Sequence, residues 1–498
     1  MACDLAGTWR TATLPKQRRR HVAIAGAPKE VKEVAMNTAW MRTVVLTALL
    51  GMAVASPLLG ETAGVGDLAA FRAALEEDGF VVQEGKLAAF DIVKLCCSGA
   101  LASCLANNAG APYKVYFLPA APDQTVPNSV PWAYCLRPDE AIVLVGRTPP
   151  TAAYFSYETF LAARYSGVEE ARRRILACIG DTQNHLTIQT VDGADGTSFN
   201  AETILITTAD RGIDARVRAA ATRAGYSQGI VNTDVVPSSV VRLGLAHEAD
   251  ELVTINRIFL PESLEALRAY MEASQVVLRV TPRKPAVPDP FPTPVLRVRG
   301  TGTTEMDLAP TLEALREAIL AKYPGLVSTE LETSVWLEDS FDGLQRGVEM
   351  YAPTRDTIYF WTQPYFKLPA GPDDFVIVYG VNHEKTGKAT YSNFSLYADP
   401  ALKLGVVGEN SRVIVESARE YLPDHPQADG LYVWKISRDC AGNPHCLDLV
   451  NCCCQRLDLE ALPDLWVAFR IYLEPETKVG PAFAEILYDR AIVFRPRK

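Results

Sequence analysis

A repeated stretch of sequence constrains this chain more than any other feature. Residues 138–157 read PDEAIVLVGRTPPTAAYFSY, and residues 372–394 read PDDFVIVYGVNHEKTGKATYSNF. Each copy has Pro-Asp and an acidic residue, a run of apolar residues, a glycine, a polar loop, and a tyrosine followed by a serine and another aromatic residue. An apolar run that ends at a turn and is followed by aromatic residues is typical of two joined strands. The repeat therefore predicts two related, β-rich lobes.

A proline-rich segment lies between the two copies. Residues 281–294 contain six prolines in fourteen residues. Proline has no backbone N–H, so such a segment can neither continue a helix nor pair inside a sheet, and it should be stiff and extended. We therefore predict an N-terminal lobe at 56–280, a Pro-rich linker at 281–298 and a C-terminal lobe at 299–498.

Both lobes contain helix and strand patterns, and the C-terminal lobe is mostly strand-like after its first helix, which predicts an α+β fold with flanking helices. The spacing of apolar residues predicts helices at 66–80 and 308–323. Between residues 199 and 281 the order is strand, helix, strand, strand, helix, strand, as in a ferredoxin-like βαββαβ unit. The predicted strands are 203–208, 229–236, 252–259 and 276–280, and the predicted helices are 214–224 and 261–271.

Residues 1–55 have the character of a targeting region. A basic residue and an apolar run at 41–55 end in Ala53-Val54-Ala55, as a signal peptide does before its cleavage site. We predict a secreted or lumenal protein, and a start at Met36 or Met41 would make the signal conventional. The alternatives are an uncleaved signal anchor and, because Arg18–Arg20 precede the signal, a two-stage address to a thylakoid lumen. After cleavage, no remaining segment has the roughly 20 apolar residues of a membrane span.

The charge of the mature chain excludes one class of partner. The first 55 residues hold eight Lys or Arg and three Asp or Glu, so the net charge of −10 for the whole chain leaves −15 for residues 56–498. A protein this acidic is repelled by phosphate backbones. We predict no nucleic-acid partner.

Cysteines and one sequon fit an exported protein. Ten of the eleven cysteines follow residue 55, and an even number in an exported chain predicts disulfides. The predicted local bridges are Cys97–Cys104 and Cys440–Cys446, because each closes a short loop, while the pairing of Cys452–Cys454 stays open. A rival hypothesis is a metal site that adds His445 and Cys452 to the second pair, although its spacing lacks the C-x-x-C of most zinc sites. Asn393 begins the one N-glycosylation sequon, which predicts a glycoprotein.

Histidines are the natural candidates for acid–base or metal chemistry at neutral pH. Those that follow the targeting region are His185, His247, His383, His425 and His445. His383 and Glu384 lie in the loop after the second repeat strand, which is much more polar than the loop of the first copy. We therefore predict His383 as the catalytic acid–base, with Glu384 and His425 as helpers. If a divalent metal is the cofactor, His247 and His383 are its predicted ligands.

Aromatic residues of both lobes could line a cleft between them, where ligand sites are common. They are Tyr154, Tyr157, Trp361, Tyr365 and Tyr391. The leading hypothesis is an exported enzyme that acts on a small or partly apolar substrate by His-dependent acid–base or metal chemistry. The alternative is a non-catalytic secreted binding or structural protein whose aromatic face holds a small molecule or a glycan. Neither G-x-S-x-G nor a P-loop motif is present, so the sequence names no reaction.

Overall fold

The computed structural model describes the chain from residue 66 onward, with gaps. The described residues are 66–97, 108, 111–190, 197–337, 340–399, 404–449 and 464–497. They all belong to one compact unit. The predicted signal peptide at 41–55 and the predicted Cys97–Cys104 bridge depend on residues or side chains outside the described part.

Two large β-sheets account for most of the regular structure. The first contains β1 (Phe80–Phe90), β2 (Tyr113–Phe117), β3 (Ala141–Arg147), β4 (Ala152–Ser166), β5 (Ala171–Cys178), β6 (Gln183–Asn184), β7 (Glu202–Thr208), β8 (Val231–Val235), β9 (Glu251–Pro261) and β10 (Gln275–Pro282). The second contains β11 (Leu326–Leu337), β12 (Thr357–Gln363), β13 (Phe375–Val381), β14 (Tyr391–Asp399), β15 (Leu404–Asn410), β16 (Leu431–Ser437), β17 (Cys446–Asp448), β18 (Asp464–Tyr472) and β19 (Arg490–Pro496). The helices are α1 (Leu68–Glu77), α2 (Ile92–Cys97), α3 (Arg211–Arg223), α4 (Leu264–Glu272), α5 (Ala309–Lys322) and α6 (Ser340–Arg346).

The two sheets have the same strand order. The first runs β5-β4-β9-β2-β1-β10-β3-β7-β8, with the short β6 attached to β4, and the second runs β15-β14-β18-β12-β11-β19-β13-β16-β17. When the strands of each sheet are numbered in chain order and β6 is left out, the two sheets have the same strand order. The pairs β7–β8 and β16–β17 are each parallel. The sequence repeat corresponds to β3–β4 and β13–β14, which hold equivalent positions, so the prediction of related β-rich halves agrees with the topology.

A local hydrogen bond is repeated as well. The hydroxyl of Tyr113 on β2 accepts a bond of 3.0 Å from the backbone N–H of Asn108. At the equivalent place on β12, the hydroxyl of Tyr359 accepts a bond of 2.9 Å from the backbone N–H of Thr354. Each donor precedes its tyrosine by five residues. These tyrosines supply a common origin for comparing positions in the two sheets.

The predicted βαββαβ order is present as β7-α3-β8-β9-α4-β10. Its first two strands, β7 and β8, are paired, but β9 lies between β4 and β2, and β10 lies between β1 and β3. The structure therefore does not show the ferredoxin-like unit as a sheet of its own. Periodicity identified each element, but strand pairing depends on partners far away in the chain, which periodicity does not encode.

Residues 283–305 contain no helix or strand, and their earlier part contacts the first half. The backbone N–H of Phe291 donates to the carbonyl of Ala209 at 2.9 Å. Farther along, the backbone N–H of Arg297 donates to the Asp181 carboxylate at 2.6 Å. From Thr301 onward the segment is held by the second half instead, because the backbone N–H groups of Thr301 and Gly302 donate to the Glu485 carboxylate.

Each half begins with a helix that covers one face of its sheet. Phe71 and Leu75 of α1 are fully buried against apolar residues of the first sheet, together with Val217 of α3. In the second half, Leu312 and Ile319 of α5 are fully buried in the same manner. The apolar spacing that predicted these helices thus reflects the faces that they bury.

Four aromatic rings pack together where the two sheets meet. They are Tyr154 of β4, Phe259 of β9, Tyr391 of β14 and Tyr472 of β18, and none is more than 3% exposed. Phe259 stacks on Tyr154 with ring centroids 5.4 Å apart, and on Tyr391 at 4.8 Å. Tyr472 lies 4.8 Å from Phe259 and 5.1 Å from Tyr154. Equivalent strands supply the rings from both sides, so this aromatic quartet joins the sheets as a self-complementary interface joins a dimer.

Candidate functional site

Three of the five predicted ligand-binding aromatic residues are buried. Tyr154 and Tyr391 belong to the aromatic quartet, and Tyr157 lies in the core of the first sheet with 1% of its surface exposed. The Tyr154 hydroxyl donates to the buried carboxylate of Asp356 at 2.8 Å. These side chains therefore fill the junction between the sheets and do not line an open cleft.

His383 lies in a buried cluster with two carboxylates. It is 1% exposed, with Nδ1 at 2.9 Å from Glu305 Oε1 and Nε2 at 3.4 Å from Asp489 Oδ2. Burial by itself lowers the pKa of His383, but the two carboxylates outweigh it and the pKa is raised to about 10. At neutral pH the ring is therefore an imidazolium that donates both N–H groups. Such a ring holds the structure together, and its proton is not available for acid–base exchange near neutrality.

The rest of this polar loop also makes buried ion pairs. Lys388 Nζ lies 2.7 Å from Glu474 and 2.6 Å from Glu485. The Glu485 carboxylate accepts the backbone N–H groups of Thr301 at 3.0 Å and Gly302 at 2.6 Å. The polar residues that distinguish the second repeat from the first thus fasten the extended segment before α5 to the second sheet.

The other predicted catalytic and metal-binding residues have separate partners. The Glu384 carboxylate accepts from the Ser411 hydroxyl, and burial raises its pKa. His425 Nδ1 accepts from the backbone N–H of Gln427 at 3.3 Å. The side chain of His247 is 49% exposed. In the described part of the chain, no hydrogen bond links His383, Glu384 and His425 to one another.

The described residues do not fit the predicted metal centre. Among them, no group of three or more His, Cys, Asp or Glu side chains is arranged to hold a metal ion. His247 and His383 therefore belong to no such group. At the rival site, Cys440 and Cys446 are joined by a disulfide and cannot act as thiolate ligands, while His445 pairs with Glu420 at 3.1 Å.

The predicted Cys440–Cys446 disulfide is confirmed. Replacing both cysteines with alanine should lower the free energy of unfolding by about 2 kcal/mol, because a cross-link that closes so short a loop removes that much entropy from the unfolded chain. Urea denaturation of the oxidised proteins measures the difference. A loss below about 0.5 kcal/mol would show that the unfolded loop is already ordered without the bridge.

Cys135 and Asn393 are both buried. Cys135 lies in the core of the first sheet, and burial raises the pKa of its thiol to about 11, so it is not a reactive thiolate. Asn393 of the sequon is 6% exposed, and its side-chain nitrogen donates to Asn108 Oδ1 at 2.9 Å. A glycan on that nitrogen does not fit the folded chain.

Of the remaining two predicted aromatic residues, Tyr365 lines an open groove and Trp361 packs against it. The groove encloses about 600 Å³ and is lined by Glu330, Glu332, Gln363, Pro364 and Tyr365. Tyr365 is 41% exposed, and its ring meets Trp361 edge-on at 6.1 Å. Trp361 in turn meets the buried ring of Trp466 at 5.8 Å. The exposed ring of Tyr365 is therefore packed against a row of aromatic rings, which restricts its motion.

Hydrogen-bond acceptors surround this ring. The guanidinium of Arg316 donates to both oxygens of Glu330, at 2.7 and 2.5 Å, and lowers the pKa of that carboxyl. Glu332 is exposed, and the Ser334 hydroxyl lies 3.5 Å from it. Gln363 faces Glu332 across the β11–β12 pair. The groove thus combines an aromatic platform with two carboxylates and an amide.

The fold itself does not require this combination. Counted from the shared tyrosines of β2 and β12, the positions of Glu332 and Gln363 correspond to Lys86 and Phe117 in the first sheet, which also face each other. The same topology therefore carries opposite charge at the equivalent place. The sequence analysis missed Glu330 and Glu332, although their alternation with Leu331 and Thr333 is the period-2 signal of a strand with one exposed face.

Within the described ranges, no helix is both long and apolar enough to cross a membrane.

Comparison with known proteins adds little. No protein-family model matches the chain, and no curated protein does. Among solved structures, an uncharacterized protein from Burkholderia cenocepacia is 13% identical over 86% of each chain, with a TM-score of 0.37. The VPA0106 protein from Vibrio parahaemolyticus is 11% identical over 78% of this chain and 90% of its own, with a TM-score of 0.37. At these values neither structure assigns the chain to a family.

Proposed function

We propose that this chain is an exported, non-catalytic binding protein whose ligand site is the groove beside Tyr365, and that its ligand is a glycan. One observation carries the proposal: a half-exposed aromatic ring, backed by other rings, lies beside three acceptor side chains in an open groove. A ligand pocket typically combines an apolar surface with a few polar groups that fix orientation.

The chemistry of the groove matches a polyhydroxylated ligand. One face of a sugar ring presents C–H groups, which pack on an aromatic ring, and its edge presents hydroxyls. Ionised carboxylates only accept hydrogen bonds, while the Gln363 amide can both accept and donate. Glu330 and Glu332 can therefore receive sugar hydroxyls while Tyr365 supports the ring.

The enzyme hypothesis has less support. Its cleft would lie between the two sheets, where the aromatic quartet is packed. Its acid–base, His383, is held as an imidazolium between Glu305 and Asp489. We further infer that the two sheets behave as two lobes and that residues 281–298 connect them, because this segment runs from the end of β10 toward α5 of the other half.

Replacing Tyr365 with alanine should weaken glycan binding about tenfold or more, since loss of a central aromatic contact typically costs more than 1 kcal/mol. A glycan array identifies ligands of the wild-type mature chain, and isothermal titration calorimetry then compares the variant.

Tyr165→Ala is the matched control, because it removes a half-buried tyrosine ring that packs on His247 in the first half. We expect it to bind as the wild type does. Absence of any glycan ligand, or equal affinity of the Tyr365→Ala variant, would refute the proposed site.

A further inference from the structure

The charges around the groove do not cancel. Glu313, Glu330 and Glu332 are near it, with the guanidiniums of Arg316 and Arg490. Arg316 contacts Glu330 at 2.5 Å and Glu313 at 2.7 Å, and Arg490 contacts Glu313 at 3.3 Å. Three carboxylates and two guanidiniums leave a net charge of −1, and both cations are engaged with carboxylates other than Glu332.

The nearest lysine in the sequence is also paired with a carboxylate. Lys367 is the nearest lysine along the chain after Tyr365, and its Nζ lies 3.3 Å from Asp464, so its charge is already balanced. Among the described residues, no ion pair with Glu332 is found. Glu332 is also exposed at the groove, where a ligand can reach it.

An exposed tyrosine ring next to an unbalanced carboxylate favours a positive ligand. A cation within about 6 Å of an aromatic ring gains roughly 0.5–1 kcal/mol at an exposed site. A charge-assisted hydrogen bond from an ammonium to a carboxylate is about twice as strong as a neutral one. A neutral sugar would pack on the ring and donate hydroxyls, but it would leave the charge of Glu332 uncompensated.

We propose that the groove selects an amino sugar, with the sugar ring on Tyr365 and the ammonium group at Glu332. This inference rests on the proposed function, because it names the class of glycan that the same groove binds. The equivalent place in the first sheet, with Lys86 opposite Phe117, has the wrong charge for such a ligand. One site per chain is therefore expected.

Two ligands that share a backbone and differ in charge test this proposal. Glucosamine oligosaccharides carry ammonium groups, and N-acetylglucosamine oligosaccharides of the same length are neutral. Titration calorimetry on the whole mature chain at about pH 6, where such amines are protonated and exposed Glu is ionised, should show about tenfold tighter binding of the cationic series, a difference of about 1.4 kcal/mol. Raising the salt concentration should reduce that preference, because the charges are exposed.

Glu332→Gln keeps the shape of the side chain and removes its charge, so it should abolish the preference while leaving residual binding of both series. Glu272→Gln, the same change at an exposed position on α4, is the control and should leave the preference intact.

The results distinguish a failure of the amino-sugar inference from a failure of the proposed binding function. If both series bind equally and Tyr365→Ala weakens both, the amino-sugar inference is wrong and the binding function stands. The inference is also wrong, and the binding function again stands, if neither series binds while another glycan on the array does. If no glycan of any kind binds, the proposed function falls, and the inference falls with it.

Discussion

Replacement of His383 with alanine is expected to lower the free energy of unfolding by about 3–5 kcal/mol, the range for breaking a buried ion pair. The change would leave Glu305 and Asp489 facing each other in a buried site with no cation between them. Denaturation with urea at pH 7 measures the loss.

The matched control is His425→Ala. His425 is partly buried and accepts one backbone hydrogen bond, so its loss should cost about 1 kcal/mol. A His383→Ala variant as stable as this control would show that the carboxylates are protonated or hydrated in the folded protein.

The pH dependence of stability supplies a second measurement on the same variant. The folded pKa of His383, about 10, lies above its ordinary value of 6.5. Its contribution to stability is therefore complete below pH 6.5 and is lost as the pH rises from 6.5 to about 10. The stability difference between wild type and His383→Ala should shrink over this window, by an amount on the order of a few kcal/mol. A difference that stays constant across the window would contradict a stabilising imidazolium.

Replacement of Phe259 with alanine is expected to destabilise the protein by about 3–5 kcal/mol, the usual cost of removing a buried phenylalanine ring. The ring contacts Tyr154, Tyr391 and Tyr472 at 4.8–5.4 Å, so its removal opens a cavity where the sheets meet. Because the quartet joins the halves, unfolding of the variant should also change from one transition to two, as weakly coupled halves unfold separately. Urea denaturation followed by near- and far-UV circular dichroism shows both effects.

Phe90→Ala is the control, since Phe90 is only partly buried and packs on Trp132 within the first half. It should cost less and keep the single transition. A Phe259→Ala variant that loses no more stability than this control would show that other contacts hold the sheets together.

The sequence alone was sufficient wherever the signal is local. The apolar periodicity of α1 and α5, the strand pattern at β7 to β10, and the short loop between Cys440 and Cys446 each depend on neighbouring residues, and the structure contains all of them. The repeat at 138–157 and 372–394 was equally visible, because equivalent strands keep similar residue patterns.

Contacts between distant residues were not predictable in this way. The partners of His383 are Glu305 and Asp489, which lie 78 and 106 residues away along the chain, so nothing near the histidine indicates that it is clamped. A polar loop with a histidine therefore looked catalytic. The burial of Tyr154 and Tyr391 was not predicted either, because it also depends on residues far away in the chain.

The sequence by itself determined several of the helices and strands, that the chain contains two related β-rich halves, and that one disulfide closes a short loop. Only the tertiary structure decided that the two sheets share one strand order, that an aromatic quartet closes the junction between them, and that Tyr365 is exposed beside an unbalanced carboxylate. The physical reason is that secondary structure follows from periodicity within a few residues, whereas burial and charge balance depend on which distant side chains the fold brings into contact.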